Sequence, residues 1–153
     1  MSKQYFLCKI RYEKTCEDGK NRNVAELHLV DALSFTEAEA RIIGELQPFI
    51  SGEFVVSAIK RENVSEIFSS EKESDDKWYK IKCAFITLDE KKGHERKQYQ
   101  YMLVQSESTK DAERYFHERM KGTLADYQVV EVKETEIIDI HFYSMESVTD
   151  ETR

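Results

Sequence analysis

Glycine and cysteine are scarce in this sequence, and each scarcity argues against a class of protein. Five glycines are present, and none forms a GxGxxG, GxxxxGK[ST] or GxSxG motif, which argues against phosphate-cradling loops and hydrolase nucleophile elbows. The three cysteines, Cys8, Cys16 and Cys83, are odd in number and form no CxxC pair, which argues against a disulfide framework. Cys16 lies in a polar turn, which leaves a reactive thiol open.

Long apolar stretches are also absent. No run approaches the roughly 18 residues that a transmembrane helix needs, and the start MSKQYFLCKIRYEK has no apolar signal core. With 40% hydrophobic and 35% charged residues, the composition predicts a folded protein, and we expect it in the cytoplasm. The net charge of −7 disfavours indiscriminate binding to nucleic-acid backbones but permits a local basic patch.

The sequence repeats itself over almost its whole length. Three pairs of segments recur at a spacing of 73 or 74 residues: IKRENVSEIF with VKETEIIDIH, YFLCKIRY with WYKIKCAF, and AELHLVDALS with YQYMLVQSES. The recurring features are apolar alternation and the position of charges. This pattern predicts two copies of one structural unit.

Each copy predicts the element order β-β-α-β. Alternating apolar residues in Tyr5–Lys14 and Tyr79–Phe85 indicate half-buried strands. Ser34 and Ser108 begin helices, each with an acid three residues later as in a capping box. Beyond these caps, apolar residues recur every four positions in both copies: Ala38, Ile42, Leu46, and Ala112, Phe116, Met120. The closing stretch of each copy is either one strand or two, with a bend near Glu62 or Thr135.

These elements predict an α+β fold, in which antiparallel sheets pack with two helices around a shared pseudo-twofold core. The predicted boundaries are 1–68 for the first unit, 69–77 for an acidic linker, 78–143 for the second unit and 144–153 for a flexible acidic tail. All four segments are expected to belong to one compact domain.

Four segments carry a resemblance to a known family. YFLCKIRYEK, LVDALSFTEAEARI, ISGEFVVSAIKRENVSEIF and WYKIKCAFITLDEKKG are similar to uncharacterised proteins of Bacteroides-type gut bacteria, their mobile elements and phages, over about Tyr5 to Tyr143. The resemblance implies a domain of unknown function and carries over no catalytic residue. Separately, the order β-β-β-β-α from Glu53 to Gly122 resembles the Whirly and Pur-alpha-like nucleic-acid-binding folds, if the closing stretch is two strands.

The candidate binding residues combine aromatic rings with cations. They lie on the polar side of the first strand of each copy and in the hairpin KKGHERK: Tyr5, Lys9, Arg11, Trp78, Lys80, Lys82, Lys91, Lys92, Arg96 and Lys97. Alternate strand residues project to the same side, so rings and cations are predicted to share a sheet surface. Proteins that bind single strands use rings for bases and cations for phosphates. The sequence therefore predicts a non-enzymatic, single-stranded nucleic-acid-binding protein without metal or cofactor.

Other interpretations stay open at this point. Lysines on strands are often only solvated, and Trp78 can cap a core. A sheet edge or homodimer interface would suit a protein-interaction module or an inhibitor of a host protein, and a cleft between lobes would suit a small nucleotide. Glu131-Val132-Lys133 has the ExK form of metal-dependent nucleases, with Asp126 as the nearest further acid. His28 and His141 are expected to be hydrogen-bonded structural residues.

Overall fold

The part of the chain that the structure describes contains eight strands and two helices. The structure is a computed structural model that describes residues 4–143. The strands are β1 (Tyr5–Thr15), β2 (Asn21–Asp31), β3 (Phe54–Glu62), β4 (Glu66–Phe68), β5 (Lys77–Asp89), β6 (His94–Ser106), β7 (Tyr127–Glu134) and β8 (Ile137–His141). The helices are α1 (Phe35–Leu46) and α2 (Thr109–Met120). Within residues 4–143, neither helix has the length and apolar character required to cross a membrane.

The strands form two four-stranded sheets, each the centre of one compact unit. Unit 1 comprises residues 4–62 and 136–143 and has the strand order β3-β1-β2-β8. Unit 2 comprises residues 63–135 and has the order β7-β5-β6-β4. In each unit three strands are antiparallel, and a short fourth strand, β8 or β4, pairs in parallel with the second strand of the hairpin. The predicted α+β fold is confirmed.

The short parallel strands are exchanged between the two halves of the sequence. β4 follows β3 in the chain but pairs with β6 of unit 2, whereas β8 follows β7 but pairs with β2 of unit 1. Each closing stretch is therefore two strands. The compact units consequently differ from the predicted segments 1–68 and 78–143, because the last strand of each half belongs to the other unit. A common origin of the two halves and a pseudo-twofold core stay predictions.

The strand exchange also removes one resemblance. β3 lies in the sheet of unit 1, while β4, β5 and β6 lie in the sheet of unit 2. The order β-β-β-β-α therefore does not describe one continuous sheet, and the likeness to Whirly and Pur-alpha-like folds is not supported.

In unit 1, one face of the sheet packs against α1. The alternate apolar residues of β1 pack against the apolar residues that recur every four positions in α1. The buried core between the sheet and the helix comprises Phe6, Cys8, Ile10, Val30, Ala32, Ala38, Ile42 and Leu46. Each large apolar side chain buried in this way contributes roughly 1.5–3 kcal/mol relative to exposure.

In unit 2, α2 covers the corresponding face of its own sheet. The buried core comprises Phe68, Tyr79, Ile81, Cys83, Met102, Val104, Ala112 and Phe116. The Phe116 ring lies edge-on to Tyr127, with centroids 5.7 Å apart and planes at 88°, and 6.1 Å from Phe68. Edge-to-face aromatic pairs of this kind stabilise a core beyond the area they bury.

Both helices begin with the predicted serine caps. Ser34 Oγ accepts a hydrogen bond from Glu37 N at 3.1 Å, and Ser108 Oγ accepts one from Asp111 N at 3.2 Å. In α1 the Glu37 carboxylate accepts in return from Leu33 N at 3.1 Å, whereas the shorter Asp111 carboxylate pairs with a nearby arginine instead. The first helix thus has a variant of the capping box, in which Glu37 accepts from the residue before the cap, and the second has only the serine half.

The predicted acidic linker, 69–77, is not solvated throughout. Asp75 is only 2% exposed, and its carboxylate accepts hydrogen bonds from Ser70 Oγ at 2.5 Å and from Tyr115 Oη at 3.1 Å. A buried carboxylate requires such donors, so Asp75 fastens this loop to α2. The linker also ends earlier than predicted, because Lys77 begins β5. The predicted tail, 144–153, lies outside the described residues.

Candidate nucleic-acid interface

The two rings that were predicted to stack on bases are buried. Tyr5 is 5% exposed and Trp78 is 4% exposed. The Trp78 carbonyl accepts hydrogen bonds from the backbone N–H and the hydroxyl of Thr135 at 2.9 and 2.8 Å. The prediction that Tyr5 and Trp78 present ring faces to solvent is wrong. The period of two identifies which residues share a face but not which part of that face is covered.

Lys80 and Lys82 lie on the face of the unit 2 sheet that is turned away from α2. The alternating residues of β5 between and around them belong to the α2-facing core. In the β5–β6 register, Lys80 lies opposite Leu103 and Lys82 lies opposite Tyr101. Directly opposed residues of an antiparallel pair share one face, so alternate residues of β6 lie on the same face as these lysines. Leu103 is 1% exposed and Trp78 is 4% exposed, so this face is covered at one end and open towards Tyr99.

Two tyrosines of β6, Tyr99 and Tyr101, provide the rings on this surface. Lys82 Nζ lies 4.7 Å from the centroid of the Tyr99 ring, and Lys80 Nζ lies 4.9 Å from that of Tyr101. Tyr99 is 48% exposed, and Tyr101 is partly buried. These rings were not among the predicted site residues. The alternation in QYQYML places both tyrosines on one face of β6, but only the register of the hairpin shows that the two lysines share that face.

Two further lysines complete the surface. Lys133 of β7 lies opposite Lys80, and Lys97 of β6 lies opposite Ile86. One acid, Glu131, lies opposite Lys82. We use the name lysine–tyrosine face for Lys80, Lys82, Lys97, Tyr99, Tyr101 and Lys133. Four cations near two rings make this face locally positive in an acidic protein.

The basic hairpin tip only partly joins this face. β5 and β6 pair beyond the last β7 partner, Tyr127, so that residues 86–97 form a two-stranded ribbon. Lys97 lies on the lysine–tyrosine face, but Arg96 is opposite Thr87 and therefore lies on the other side. Lys91 and Lys92 are exposed in the turn, where their backbone N–H groups donate to Asp89 Oδ1 at 3.1 and 3.3 Å. The acid reduces the positive potential predicted for this tip.

The corresponding face of unit 1 has cations but no exposed ring. Lys9 lies opposite Leu27 and Ala58, while Arg11 lies opposite Ala25 and Val55. Arg11 also lines an open cavity of about 790 Å³ at the end of the β1–β2 hairpin. The structure therefore separates the predicted residues of unit 1 from any exposed stacking ring on their own face.

The nuclease interpretation finds no supporting geometry. Glu131 and Lys133 are exposed on β7. Asp126 lies in the loop before this strand, where its backbone carbonyl accepts a hydrogen bond from Ile86 N at 2.9 Å. Among residues 4–143, no three histidine, cysteine, aspartate or glutamate side chains converge as a metal ion would require.

The buried thiols are poor nucleophiles. Burial, and to a smaller extent the nearby Glu39 charge, raises the pKa of Cys8 to about 11. Burial likewise raises the pKa of Cys83. Cys16 is only partly buried, and its Sγ lies 3.9 Å from the carbonyl of Lys14. A thiol with a raised pKa holds little of the reactive thiolate at neutral pH.

The sheet edges are poorly suited to strand addition. β3 and β7 form one edge of each sheet. The register of β3 shifts opposite Lys9/Ile10 and that of β7 shifts opposite Lys82/Cys83, which leaves Ser57 and Val130 as extra residues. Such bulges twist an edge away from further pairing. Docking of a partner at these edges stays a prediction, which the bulges do not favour.

Comparison with known proteins identifies one matching family. A family model described as Domain of unknown function (DUF4494) matches residues 4–143. No curated protein and no solved structure matches the chain.

Proposed function

Since the chain belongs to the DUF4494 family, a domain of unknown function, we propose a function from its own residues: binding of single-stranded nucleic acid by the lysine–tyrosine face of unit 2. The observation that supports this proposal is the placement of Lys80 and Lys82 against two partly exposed tyrosine rings on one sheet face. A metal, a cofactor or a catalytic group is not needed for this activity.

A base that stacks on these rings replaces a weak contact with a stronger one. A lysine over a tyrosine ring is worth about 0.5–1 kcal/mol at exposed sites and about 2 kcal/mol when desolvated, and Lys80 and Lys82 are both partly buried. A base stacked on the same ring is worth about 1–3 kcal/mol, and the displaced ammonium group can then follow the phosphate. Exchange of a lysine for a base is therefore most favourable on Tyr99, the more exposed of the two rings. Single strands are preferred because their bases are free to stack.

The net charge of the protein determines how strong this binding is. With a total charge of −7, only the local lysines oppose the general repulsion of phosphates. For single strands the salt slope is about −0.7 for each neutralised phosphate, so the four lysines of the face support a slope of about −3 at most. We expect modest affinity that falls steeply as salt rises.

The test is fluorescence anisotropy with a labelled single-stranded oligonucleotide at low salt, with duplex DNA as a second probe. In unit 1, Ala25 and Leu27 stand where Tyr99 and Tyr101 stand in unit 2, at a spacing of 74 residues. The variant Tyr99→Ala with Tyr101→Leu therefore installs residues that this fold already accepts. Loss of stacking on the two rings should raise Kd at least about tenfold.

A matched pair of lysine variants separates local from general charge. Lys133 of the face corresponds to Lys60 of unit 1, 73 residues earlier. We expect Lys133→Gln to weaken binding and Lys60→Gln to have less effect, with unchanged circular dichroism for both. The proposal fails if no oligonucleotide binds at low salt, or if the two lysine variants weaken binding equally.

We also propose that this activity serves a phage or mobile element within the cytoplasm. The support is the resemblance of the motifs YFLCKIRYEK and WYKIKCAFITLDEKKG to proteins of Bacteroides-type bacteria and their mobile elements. Replication genes next to its coding sequence would agree with this role, whereas neighbouring genes for unrelated metabolic enzymes would contradict it.

A further inference from the structure

Two histidines meet inside unit 1 where β8 joins the sheet. His28 Nδ1 of β2 lies 3.1 Å from His141 Nε2 of β8. The ring planes differ by 23° and the centroids are 5.3 Å apart, so the rings meet edge to edge through these two nitrogens. His28 is 4% exposed, and the side chain of His141 is 13% exposed. The short N···N contact is a buried hydrogen bond between imidazoles.

Carboxylates face the outer nitrogens of both rings. His28 Nε2 lies 3.3 Å from Glu26 Oε1, and His141 Nδ1 lies 3.7 Å from Glu45 Oε2. Two phenols hold these carboxylates: the hydroxyl of Tyr12 donates to Glu26 at 2.8 Å, and that of Tyr143 donates to Glu45 at 2.5 Å. The elements that pack around the pair carry further titratable or charged groups: Cys8 on β1, Asp31 on β2, Glu37, Glu39 and Arg41 on α1, and Asp139 on β8.

The contacts limit how many protons the pair can hold. When both rings are neutral, His28 Nε2–H donates to Glu26, so His28 Nδ1 accepts from His141 Nε2–H. One added proton enters at His141 Nδ1, where Glu45 compensates its charge. A second added proton would place N–H groups on both inner nitrogens, 3.1 Å apart. The docked arrangement therefore accepts one extra proton but not two.

Unit 2 shows that the fold does not need this polar pair. Its β4–β6 pairing has the same register, with Glu66 opposite Met102 as Asp139 is opposite His28. Met102 and Phe68 are the residues at the positions of His28 and His141, and both are buried. A parallel strand can thus join this sheet with apolar side chains alone, so the histidines add a property that packing does not require.

We propose that the His28–His141 pair is a proton-binding site that controls the docking of β8 to β2. In the neutral or singly protonated pair, the inner N–H···N bond holds β8 in place. Protonation of both rings replaces that bond with repulsion between two N–H groups and releases β8.

The direction of the pH dependence agrees with this assignment. Burial lowers the pKa of His141 below its ordinary value, and a charge on His28 lowers it further, although Asp139 and Glu45 oppose the shift, so the two rings resist being charged together. A group whose pKa is lowered by folding binds fewer protons when folded than when unfolded. The stabilisation from the docked pair is therefore complete above the ordinary histidine pKa of about 6.5 and is lost as pH falls below it.

Hydrogen exchange of the whole chain tests the proposal, with β4 as the internal reference for β8. Peptides covering Ile137–His141 and Glu66–Phe68 are compared at pH 7.5 and pH 5.0 after correction for intrinsic exchange rates. The lower pH stays above the ordinary glutamate pKa of about 4.3. We expect the protection of β8 to fall by up to about tenfold for each unit of pKa difference between docked and released states. Protection of β4 should stay constant.

The variant His28→Met with His141→Phe installs the pair of unit 2. We expect its β8 protection to be independent of pH over this range, whereas equal pH dependence in the variant and the natural protein overturns the proposal. Should the variant not fold, nitrogen NMR of the natural protein decides. A hydrogen-bonded pair with one ring titrating below the usual range supports the site, while two independent titrations near 6.5 contradict it.

Discussion

Unit 1 and unit 2 share the spatial order and pairing of their strands but differ in the chemistry on both faces of their sheets. On the face turned away from the helix, Tyr99 and Tyr101 of unit 2 stand where unit 1 has Ala25 and Leu27. On the helix side, His28 and His141 of unit 1 stand where unit 2 has an apolar pair. The tyrosine pair thus occurs only in unit 2, and the histidine pair occurs only in unit 1.

This difference teaches which side chains the fold requires. A residue type that appears at a matched position in both units, such as the capping serines or the apolar face of each helix, serves the framework. A chemistry that appears in only one unit is free to serve binding or control. The comparison also supplies substitutions that the same backbone already tolerates.

The largest expected effect is the loss of a ring from the core of unit 2. Phe116 is fully buried against Phe68 and Tyr127, and the matched residue of unit 1 is Ile42, also fully buried. Phe116→Ala should lower the free energy of unfolding by about 3–5 kcal/mol, and Ile42→Ala by about 2–4 kcal/mol. Urea unfolding measures both values. A smaller cost for Phe116→Ala would show that the unit 2 core is the more adaptable.

We expect an intermediate loss of stability when a tyrosine hydroxyl that donates to a buried carboxylate is removed, and a smaller loss when the carboxylate is exposed. Tyr115 donates to Asp75, which is 2% exposed, whereas Tyr143 donates to Glu45, whose side chain is 38% exposed. Tyr115→Phe leaves a buried carboxylate short of a donor and should cost about 1–3 kcal/mol, while Tyr143→Phe should cost less than about 1 kcal/mol. Thermal unfolding at pH 7.5 compares them, and equal costs would contradict the role given to burial.

The smallest effect should come from the helix caps, where the units are most alike. Ser34→Ala and Ser108→Ala should each cost about 1 kcal/mol, because each removes the acceptor for one N–H at the start of a helix. Serine-to-aspartate variants retain an acceptor and serve as controls. A difference well above 1 kcal/mol between the two alanine variants would mean that the bond from Leu33 N to the Glu37 carboxylate carries much of the cap in unit 1.

Local patterns in the sequence predicted the elements well. Alternation in β1 and β5 and the serine caps are properties of residues close in the chain, so they identify strands and helix starts without further information. The same patterns do not predict which strands pair with each other. The apolar residues Ile67 and Ile140 indicate strands, but nothing local states that each strand joins the sheet of the other half.

The site was harder to predict because exposure depends on distant parts of the chain. Tyr5 and Trp78 alternate correctly with lysines, yet both are buried. Tyr99 and Tyr101 became candidates only through the β5–β6 register. The two histidines are separated by 113 residues. Their one sequence signal was the apolar character of the matched positions, Met102 and Phe68.

The exchanged strands have a consequence for synthesis of the protein. Every strand and helix of unit 2 lies within residues 63–135, whereas the sheet of unit 1 lacks its edge until β8, at Ile137–His141, has been made. Domains fold as units while the chain leaves the ribosome, and pairing across long sequence separations comes late. Unit 1, whose first strands are made before those of unit 2, is therefore the last to be completed. The edge of its strand β2 stays open until a segment is made that lies more than a hundred residues later in the chain.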